Sequence, residues 1–255
     1  MHLTLQFHSR ESNVLKLPVV NLYLFQALLY KLLPPEFSAF LHDEGYRVDG
    51  RPMKLFAMSW PISATPPRES KGEGKGKIEY DLPIRLVVST PILDTLDGFV
   101  GGAFKNEDLR VGNTSVVCEG VEAAPLIVTS EEIRVKTLSP ITCYSQMQRG
   151  DGRKYTAYDH PTSPDFSESV HNNLVKKFRA FHRDQESPLP DGKVEIRPVG
   201  KIWERVARFD EKSNFPIKGW EEEFVLRGPI PLLQMGVDCG LGAKNSSGWG
   251  CVAIK

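Results

Sequence analysis

The chain has 255 residues, of which 40% are hydrophobic and 25% are charged, and its 32 basic and 32 acidic residues give a net charge of zero. This composition is ordinary for a folded globular protein, and the length suits one large domain or two small ones. Because general nucleic-acid binders are usually basic, zero net charge argues against a uniformly basic surface. Any nucleic-acid site must therefore be a local patch.

The cysteine pattern argues against both a disulfide framework and a zinc site. The four cysteines are scattered and no Cys-x-x-Cys occurs, so we expect reduced thiols in an intracellular protein. The amino terminus lacks a signal-peptide pattern. Residues 22–33 form the most apolar stretch, which is too short to span a bilayer. These features predict a cytoplasmic protein.

The first half of the chain predicts the element order βαββαβ with a helical insertion. Alternating residues indicate a half-buried strand over residues 3–7. A helix after Asn21 places Tyr23, Gln26 and Tyr30 away from its apolar face and ends at Pro34. The further predicted elements are a short helix over residues 36–44, strands over 54–60 and 78–89, a helix over 91–100 and one or two strands over 109–121.

The second half repeats this order loosely after a boundary near residues 122–125. Ser163, Pro164 and Asp165 predict the start of a helix, with an N-cap, a proline and an acid in the first turn. We expect the outer side of this helix to carry Lys176, Lys177, Arg179, His182 and Arg183. The other predicted elements are strands over 132–136, 154–158, 194–209 and 220–227, a short helix over 229–235 and a strand over 251–255. The fold class is therefore α+β, with two tandem ferredoxin-like (RRM-like) domains over residues 1–123 and 124–255.

Two Gly-hydrophobic-Gly triplets lie near the carboxyl terminus. Residues 240–242 and 248–250 flank the donors Lys244, Asn245, Ser246 and Ser247. Glycine permits positive φ and close approach, so the loop amides could face an anion. A glycine-rich hairpin before a final strand is the alternative. The segment lacks the Gly-Lys-Ser/Thr of a phosphate loop, and Asn245 replaces the third glycine of a dinucleotide fingerprint.

The pattern Gly-h-Gly-x5-Gly-h-Gly resembles the glycine-rich loop of the RAMP superfamily of CRISPR-associated RNA-binding proteins. Within it, the chain is most similar to the endoribonucleases that cut precursor CRISPR RNA in its repeats. Residues 17–30 resemble that family's first helix, and residues 40–45 and 52–59 resemble its histidine-bearing segment and the following strand. Residues 138–141 resemble the entry into its second domain.

This resemblance implies a metal-independent endoribonuclease that needs no cofactor. The 2′-OH would attack the adjacent phosphate, leaving a 2′,3′-cyclic phosphate and a 5′-OH. By motif matching, His42 is the general acid or base, Lys54 stabilises the developing charge and Tyr30 positions the nucleophile. The competing interpretations are a solvated His42, a Tyr30 that only completes the core and a surface Lys54. The implied partners are CRISPR repeat RNA, with an interference complex and a second copy of the chain as further candidates.

Recognition is expected to be separate from cutting. The candidate RNA contacts are Gly240, Gly242, Lys244, Asn245, Ser246, Ser247, Gly248, Gly250, Lys201, Arg205 and Arg208. Trp203 and Phe215 are available for stacking on bases. Arg149, Arg153 and Lys154 form a second basic cluster, and the lysine-rich loop over residues 71–77 a third candidate. Because Glu204, Asp210 and Glu211 interrupt the first basic segment, a solvated mixed-charge hairpin is the alternative.

Two other functions remain open on the sequence. One is a RAMP-type RNA-binding subunit that does not cleave, and the other is an unrelated tandem ferredoxin-like protein with a small-molecule pocket. The match at His42 favours the enzyme over the first alternative, and the absence of a cofactor motif disfavours the second.

Overall fold

A computed structural model describes residues 1–70, 76–106, 108–182, 187–212 and 215–255. The helices are α1 (Leu22–Leu32), α2 (Pro35–Ala39), α3 (Leu93–Lys105), α4 (Pro164–Phe181) and α5 (Ile230–Cys239), with a π-helical turn (Phe40–Glu44) and a 3-10 turn (Asn245–Ser247). The strands of the first half are β1 (His2–His8), β2 (Val14–Pro18), β3 (Tyr46–Val48), β4 (Arg51–Met53), β5 (Ala57–Met58), β6 (Arg68–Glu69), β7 (Lys77–Asp81), β8 (Ile84–Ser89), β9 (Leu109–Val111) and β10 (Thr114–Ala124). Those of the second half are β11 (Glu132–Thr137), β12 (Tyr144–Gln148), β13 (Lys154–Tyr158), β14 (Glu195–Ala207), β15 (Ile217–Arg227) and β16 (Val252–Ile254).

The first half forms an antiparallel sheet in the order β5-β8-β1-β10-β9. Helices α1 and α3 connect β1 to β5 and β8 to β10, so the core arrangement is βαββαβ. Because successive side chains of β1 point to opposite faces, Leu3, Leu5 and Phe7 all lie in one core. This core also contains Phe25 of α1 and Phe99 of α3. The periodicities of two and 3.6 residues therefore place the first helix and strand as the sequence predicts.

The second half repeats this topology in a four-stranded antiparallel sheet in the order β14-β15-β11-β16. Phe166 of α4 stacks on Phe224 of β15 at a centroid distance of 6.3 Å, inside a separate core cluster. The Oγ atom of Ser163 accepts a hydrogen bond from the Asp165 amide at 3.3 Å, so the predicted N-cap is confirmed. The prediction of two tandem ferredoxin-like folds is also confirmed, whereas the boundary between residues 123 and 124 stays a prediction.

Several predicted strands differ from those observed. The single strand predicted over residues 78–89 is two strands, because β7 pairs with β2 and β8 pairs with β1. Of the strand predicted over residues 54–60, only β5 forms. Leu55 has a φ of 50°, which interrupts an extended backbone. The strand predicted over residues 154–158 forms as β13, but it pairs with β12 outside the four-stranded sheet.

The predicted helices differ mainly in their ends. The helix predicted over residues 36–44 is α2 followed by the π-helical turn, and the one predicted over residues 229–235 continues to Cys239. None of the helices in the described ranges has both the length and the apolar character needed to cross a membrane.

Candidate functional site

An open groove of about 1320 Å³ lies between α1, the α2 region and α3. Tyr23, Gln26 and Tyr30 of α1 line it, as does His42 of the π-helical turn. The other lining residues are Ala27, Lys31, Leu32, Leu33, Pro34, Pro35, Phe37, Ser38, Ala39, Asp43, Asp94, Asp97, Gly98, Gly101, Gly102, Lys105 and Asn106. Two predicted catalytic residues, Tyr30 and His42, therefore share one groove of mixed charge.

The π-helical turn exposes His42 while it buries its neighbour Leu41. The turn closes when the Gly45 amide donates to the Phe40 carbonyl at 2.7 Å. Gly45 has a φ of 60°, and a Cβ there would lie 2.7 Å from the Met53 carbonyl oxygen, so glycine is required. The His42 side chain is 77% exposed, and its Nδ1 lies 2.6 Å from Oδ1 of Asp43. Because an ionised carboxylate only accepts, this contact assigns the donor role to Nδ1 and leaves Nε2 as the nitrogen without this partner.

Tyr30 lies beside His42 at the base of the groove. Its ring contacts His42 edge-on at a centroid distance of 6.2 Å and Phe56 at 6.1 Å. Burial raises the pKa of Tyr30 to about 12, because the phenolate would lose hydration. The hydroxyl is therefore a protonated hydrogen-bond donor at neutral pH.

Lys54 contacts the main chain of the π-helical turn that carries His42. Its ammonium group donates to the carbonyl oxygens of Leu41 and His42, the latter at 2.5 Å. Burial lowers the pKa of Lys54, and the nearby Asp43 carboxylate opposes that shift. The sequence predicts Lys54 next to His42, and the two residues do lie together. The contact, however, is to the main chain of His42.

The glycine-rich segment, residues 240–250, is largely buried between the two halves of the chain. The amides of Leu241 and Gly250 donate to the carbonyls of Gly250 and Pro140, both at 2.8 Å, and the Ala243 amide donates to Thr142 at 2.9 Å. These three amides donate to the protein's own carbonyls and so do not face an anion, while the RNA contacts predicted for the segment stay predictions.

Close packing explains the glycines of this segment. At Gly250, where φ is 71°, a Cβ would lie 1.9 Å from the Leu241 carbonyl oxygen. At Gly242, where φ is 67°, it would lie 2.4 Å from the Thr142 carbonyl oxygen. Asn245 is 8% exposed, and its Nδ2 donates to the carbonyls of Leu241 at 3.0 Å and Trp249 at 2.9 Å. The side-chain amide nitrogen of Asn245 is therefore used for hydrogen bonds within the glycine-rich segment.

The prediction that Lys177 lies on the outer side of α4 is wrong. Lys177 is 4% exposed, and its Nζ donates to the carbonyls of Gly240 at 2.6 Å and Gly242 at 3.3 Å. These carbonyls compensate for the loss of water around the ammonium group, although burial still lowers the pKa of Lys177 to about 8. Arg183, predicted on the same side, lies outside the described residues.

The exposed part of the glycine-rich segment borders the groove. The Nε2 atom of Gln26 donates to the Ser246 carbonyl at 2.8 Å and lies 3.4 Å from Oγ of Ser247. Trp60 donates from its indole nitrogen to the Gly248 carbonyl at 2.7 Å. The sequence did not identify Gln26 as a site residue, although its position beside Tyr23 and Tyr30 on α1 was the available signal.

The predicted basic segment forms the outer part of the β14–β15 hairpin, where Lys201, Arg205 and Arg208 are exposed. Arg205 pairs with Glu221 at 2.5 Å, and Lys201 lies 4.0 Å from the centroid of the Trp203 ring. The hairpin contacts the start of α1, because the Tyr23 amide donates to the Phe209 carbonyl at 3.3 Å. Arg205 is thus partly neutralised, as the mixed-charge alternative expects.

The exposed aromatic rings on this hairpin suit stacking on bases. Trp203 is 47% exposed and Phe215 is 80% exposed. The second basic cluster lies on the β12–β13 hairpin, where Arg149 lies 5.5 Å from the Tyr155 ring centroid and Arg153 pairs with Asp151 at 3.6 Å. Of the lysine-rich loop, residues 71–75 lie outside the described residues. In the described ranges no three His, Cys, Asp or Glu side chains are grouped to hold a metal ion.

Comparisons with known proteins agree on one family. The profile described as "CRISPR associated protein Cas6, C-terminal" matches residues 122–254. The "CRISPR-associated endoribonuclease Cas6 1" of Methanocaldococcus jannaschii is 30% identical over 170 residues, a match that covers 66% of this chain and 62% of that relative's length. The "CRISPR-associated endoribonuclease Cas6" of Pyrococcus furiosus is 24% identical over 247 residues, which cover 94% of this chain and 84% of the relative.

A solved structure named "CRISPR associated protein Cas6" has a TM-score of 0.75 and 25% sequence identity. The superposition covers 100% of this chain and 99% of that chain. The likeness therefore extends through both ferredoxin-like units.

Proposed function

Because this chain belongs to the Cas6 family of CRISPR-associated proteins, we propose that it is an endoribonuclease that cleaves precursor CRISPR RNA within its repeats. One observation carries the proposal: His42 and Tyr30 contact each other in an open groove large enough for an RNA strand. The two relatives named above are both called endoribonucleases, which supports the same activity here.

The proposed reaction is metal-independent. The 2′-OH of one nucleotide attacks the adjacent phosphate, the bond to the 5′-oxygen breaks, and the products are a 2′,3′-cyclic phosphate and a 5′-OH. With Nδ1 engaged by Asp43, Nε2 of His42 is the nitrogen that takes or gives the proton. General acid–base catalysis of this kind contributes about 10²–10⁴-fold to a rate.

The neighbouring side chains take supporting roles. The protonated Tyr30 hydroxyl donates to the 2′-OH or to a phosphate oxygen and so aligns the attack. Lys54 holds the turn that carries His42 and adds positive charge near the phosphorane-like transition state. We assign RNA contacts to the exposed Lys244, to the half-buried Ser246 and Ser247 and to the β14–β15 hairpin.

The test uses a labelled repeat RNA in EDTA. The wild-type protein is expected to make one cut with a 2′,3′-cyclic end, and His42→Ala to lose at least about 100-fold in rate. His160→Ala is the matched control, because His160 is an exposed histidine outside the groove. A His42→Ala protein that cuts at the wild-type rate contradicts the assignment, and activity that requires a divalent cation contradicts metal independence.

An RNA-binding subunit that does not cleave is the second candidate. The exposed cations and rings of the β14–β15 hairpin do not depend on His42, and they favour binding whether or not cutting occurs. Tight binding of repeat RNA with no cut in wild type would select this function. An interference complex and a homodimer stay predicted partners, and a cytoplasmic location stays a prediction.

A further inference from the structure

Another pocket, of about 290 Å³, is smaller than the groove. Gly242, in the first triplet of the glycine-rich segment, forms part of its wall. Arg51 of β4, Tyr144 of β12 and Gly242 line it together with four residues of α4 (Ser169, Asn172, Asn173 and Lys176). The chemistry of these side chains is polar and cationic. No step of the proposed cleavage uses them.

Two cations of this pocket have no carboxylate partner among the described residues. Among the described residues, no Asp or Glu oxygen pairs with Arg51 or Lys176. At the pocket wall, Ser169 donates from its Oγ to the carboxylate of Asp159 at 2.7 Å. Lys244 adds a third positive charge at the rim, with its Nζ 5.6 Å from the centroid of the Tyr144 ring. The pocket is therefore suited to an anion.

An enclosed acceptor adds a second requirement. The Oδ1 atom of Asn173 is buried and receives no hydrogen bond from the described residues. An unsatisfied buried acceptor costs about 1–3 kcal/mol, so a ligand that donates to it is favoured. A phosphodiester group carries no donor hydrogen, so it would satisfy the cations and leave this oxygen without a donor, whereas an amino or imino group of a nucleobase would satisfy it.

We propose that this pocket binds one unpaired nucleotide of the repeat RNA, with its phosphate at Arg51 and Lys176 and its base edge at Asn173. The proposal rests on the RNA-cleaving function proposed above and adds a specificity site to it. The volume admits one nucleotide and excludes a duplex. Tyr144 provides a ring against which the base can stack.

The glycine-rich segment connects this pocket to the groove. Its Gly242 forms part of the pocket wall, and its Ser246 and Ser247 contact Gln26 in the groove. Arg51 lies three residues before Lys54, which holds the His42 turn. One RNA strand can therefore pass over the segment with one nucleotide in the pocket and another at His42.

The experiment measures binding without cleavage. A repeat RNA carrying a 2′-deoxy nucleotide at the cut is titrated by fluorescence anisotropy against wild type, Arg51→Ala, Lys176→Ala and Asn173→Ala. The matched controls are Arg47→Ala on the same hairpin and Arg179→Ala on the same helix, both outside the pocket. Thermal unfolding of each variant excludes a folding defect.

We expect Arg51→Ala and Lys176→Ala each to reduce the slope of log K against log salt by about 0.7, with the controls unchanged. An abasic scan of the RNA should find one position whose loss weakens wild-type binding about tenfold and leaves Asn173→Ala unaffected. Equal effects in the controls, or no abasic position coupled to Asn173, would overturn the proposal.

The two proposals fail in different ways. Binding that ignores the pocket variants, together with cutting that depends on His42, overturns the pocket and leaves the enzyme. Coupling at Asn173 with undiminished cutting by His42→Ala supports the pocket and overturns the assigned catalytic residue. A wild-type protein that binds no repeat RNA overturns both.

Discussion

The His42 turn and the glycine-rich segment are each bound by a lysine ammonium group, but the first is exposed to solvent and the second is buried. In each, one lysine donates to two main-chain carbonyls of a tight turn: Lys54 to Leu41 and His42, and Lys177 to Gly240 and Gly242. The Lys54 turn leaves His42 77% exposed. The glycine-rich segment, in contrast, covers Lys177, which is only 4% exposed.

The exposed Lys54 turn presents the His42 side chain, whereas the buried glycine-rich segment joins the two halves of the chain. Around Lys54, water can replace a lost contact, so its main effect should be on the placement of His42. Lys177 is buried, so the loss of its ammonium group would leave two carbonyls without a donor. We therefore expect stability to depend on Lys177 and activity to depend on Lys54.

The largest effect is expected from Lys177→Met. Two carbonyls of the glycine-rich segment would lose their buried donor, and the free energy of unfolding should fall by about 3–4 kcal/mol. Urea denaturation measures this change. Lys176→Met, one residue earlier and half-buried, is the control and should change stability by less than about 1 kcal/mol. Equal losses in the two variants would show that the carbonyl contacts contribute little.

The pH dependence of the free energy of unfolding gives a second test of the buried Lys177. The pKa of Lys177 is lowered to about 8 in the folded protein, from an ordinary value of 10.5. Between these values the unfolded chain binds more protons than the folded one, so stability rises with pH. Relative to Lys177→Met, wild type should gain up to about 1.4 kcal/mol per pH unit in this window.

Urea denaturation of both proteins at several pH values above 8 measures this difference. The buried cysteines titrate in the unfolded state of both proteins, so their contribution cancels in the comparison. A stability gap that does not change with pH would mean that burial does not lower the pKa of Lys177 in the folded protein.

Lys54→Met should act on the rate of cleavage. The Leu41 and His42 carbonyls would lose a donor, the His42 ring would be held less firmly, and kcat should fall about tenfold with KM little changed. Single-turnover cleavage of repeat RNA measures this rate. Lys105→Met, which removes a cation from the same groove without touching the turn, is the control. A rise in KM alone would instead make Lys54 an ordinary RNA contact.

The smallest effect is expected from Asp43→Asn. The His42–Asp43 pair is solvent-exposed, with the two side chains 77% and 70% accessible, and water screens such pairs strongly. The cleavage rate at neutral pH should change less than about threefold. Measured alongside Glu44→Gln, a neighbouring acid without this contact, a loss above tenfold would give Asp43 a larger orienting role than its exposure suggests.

By itself, the sequence determined the tandem ferredoxin-like order, because strand alternation and helix periodicity report which face of each element is buried. It also predicted the capped start of α4, since an N-cap acts locally, whereas the His42 segment was located by its resemblance to a known family. Such signals depend on neighbours close in the chain, and they hold whatever the tertiary context.

Only the tertiary structure decided the burial of Lys177, the split of residues 78–89 between two sheets and the role of Gln26. Each depends on a partner far along the chain: Gly240 for Lys177, β2 and β1 for the two strands, and Ser246 for Gln26. A lysine on a helix looks exposed in any local pattern. It becomes a buried donor only when another segment brings carbonyls to it, and the sequence carries no local signal for that meeting.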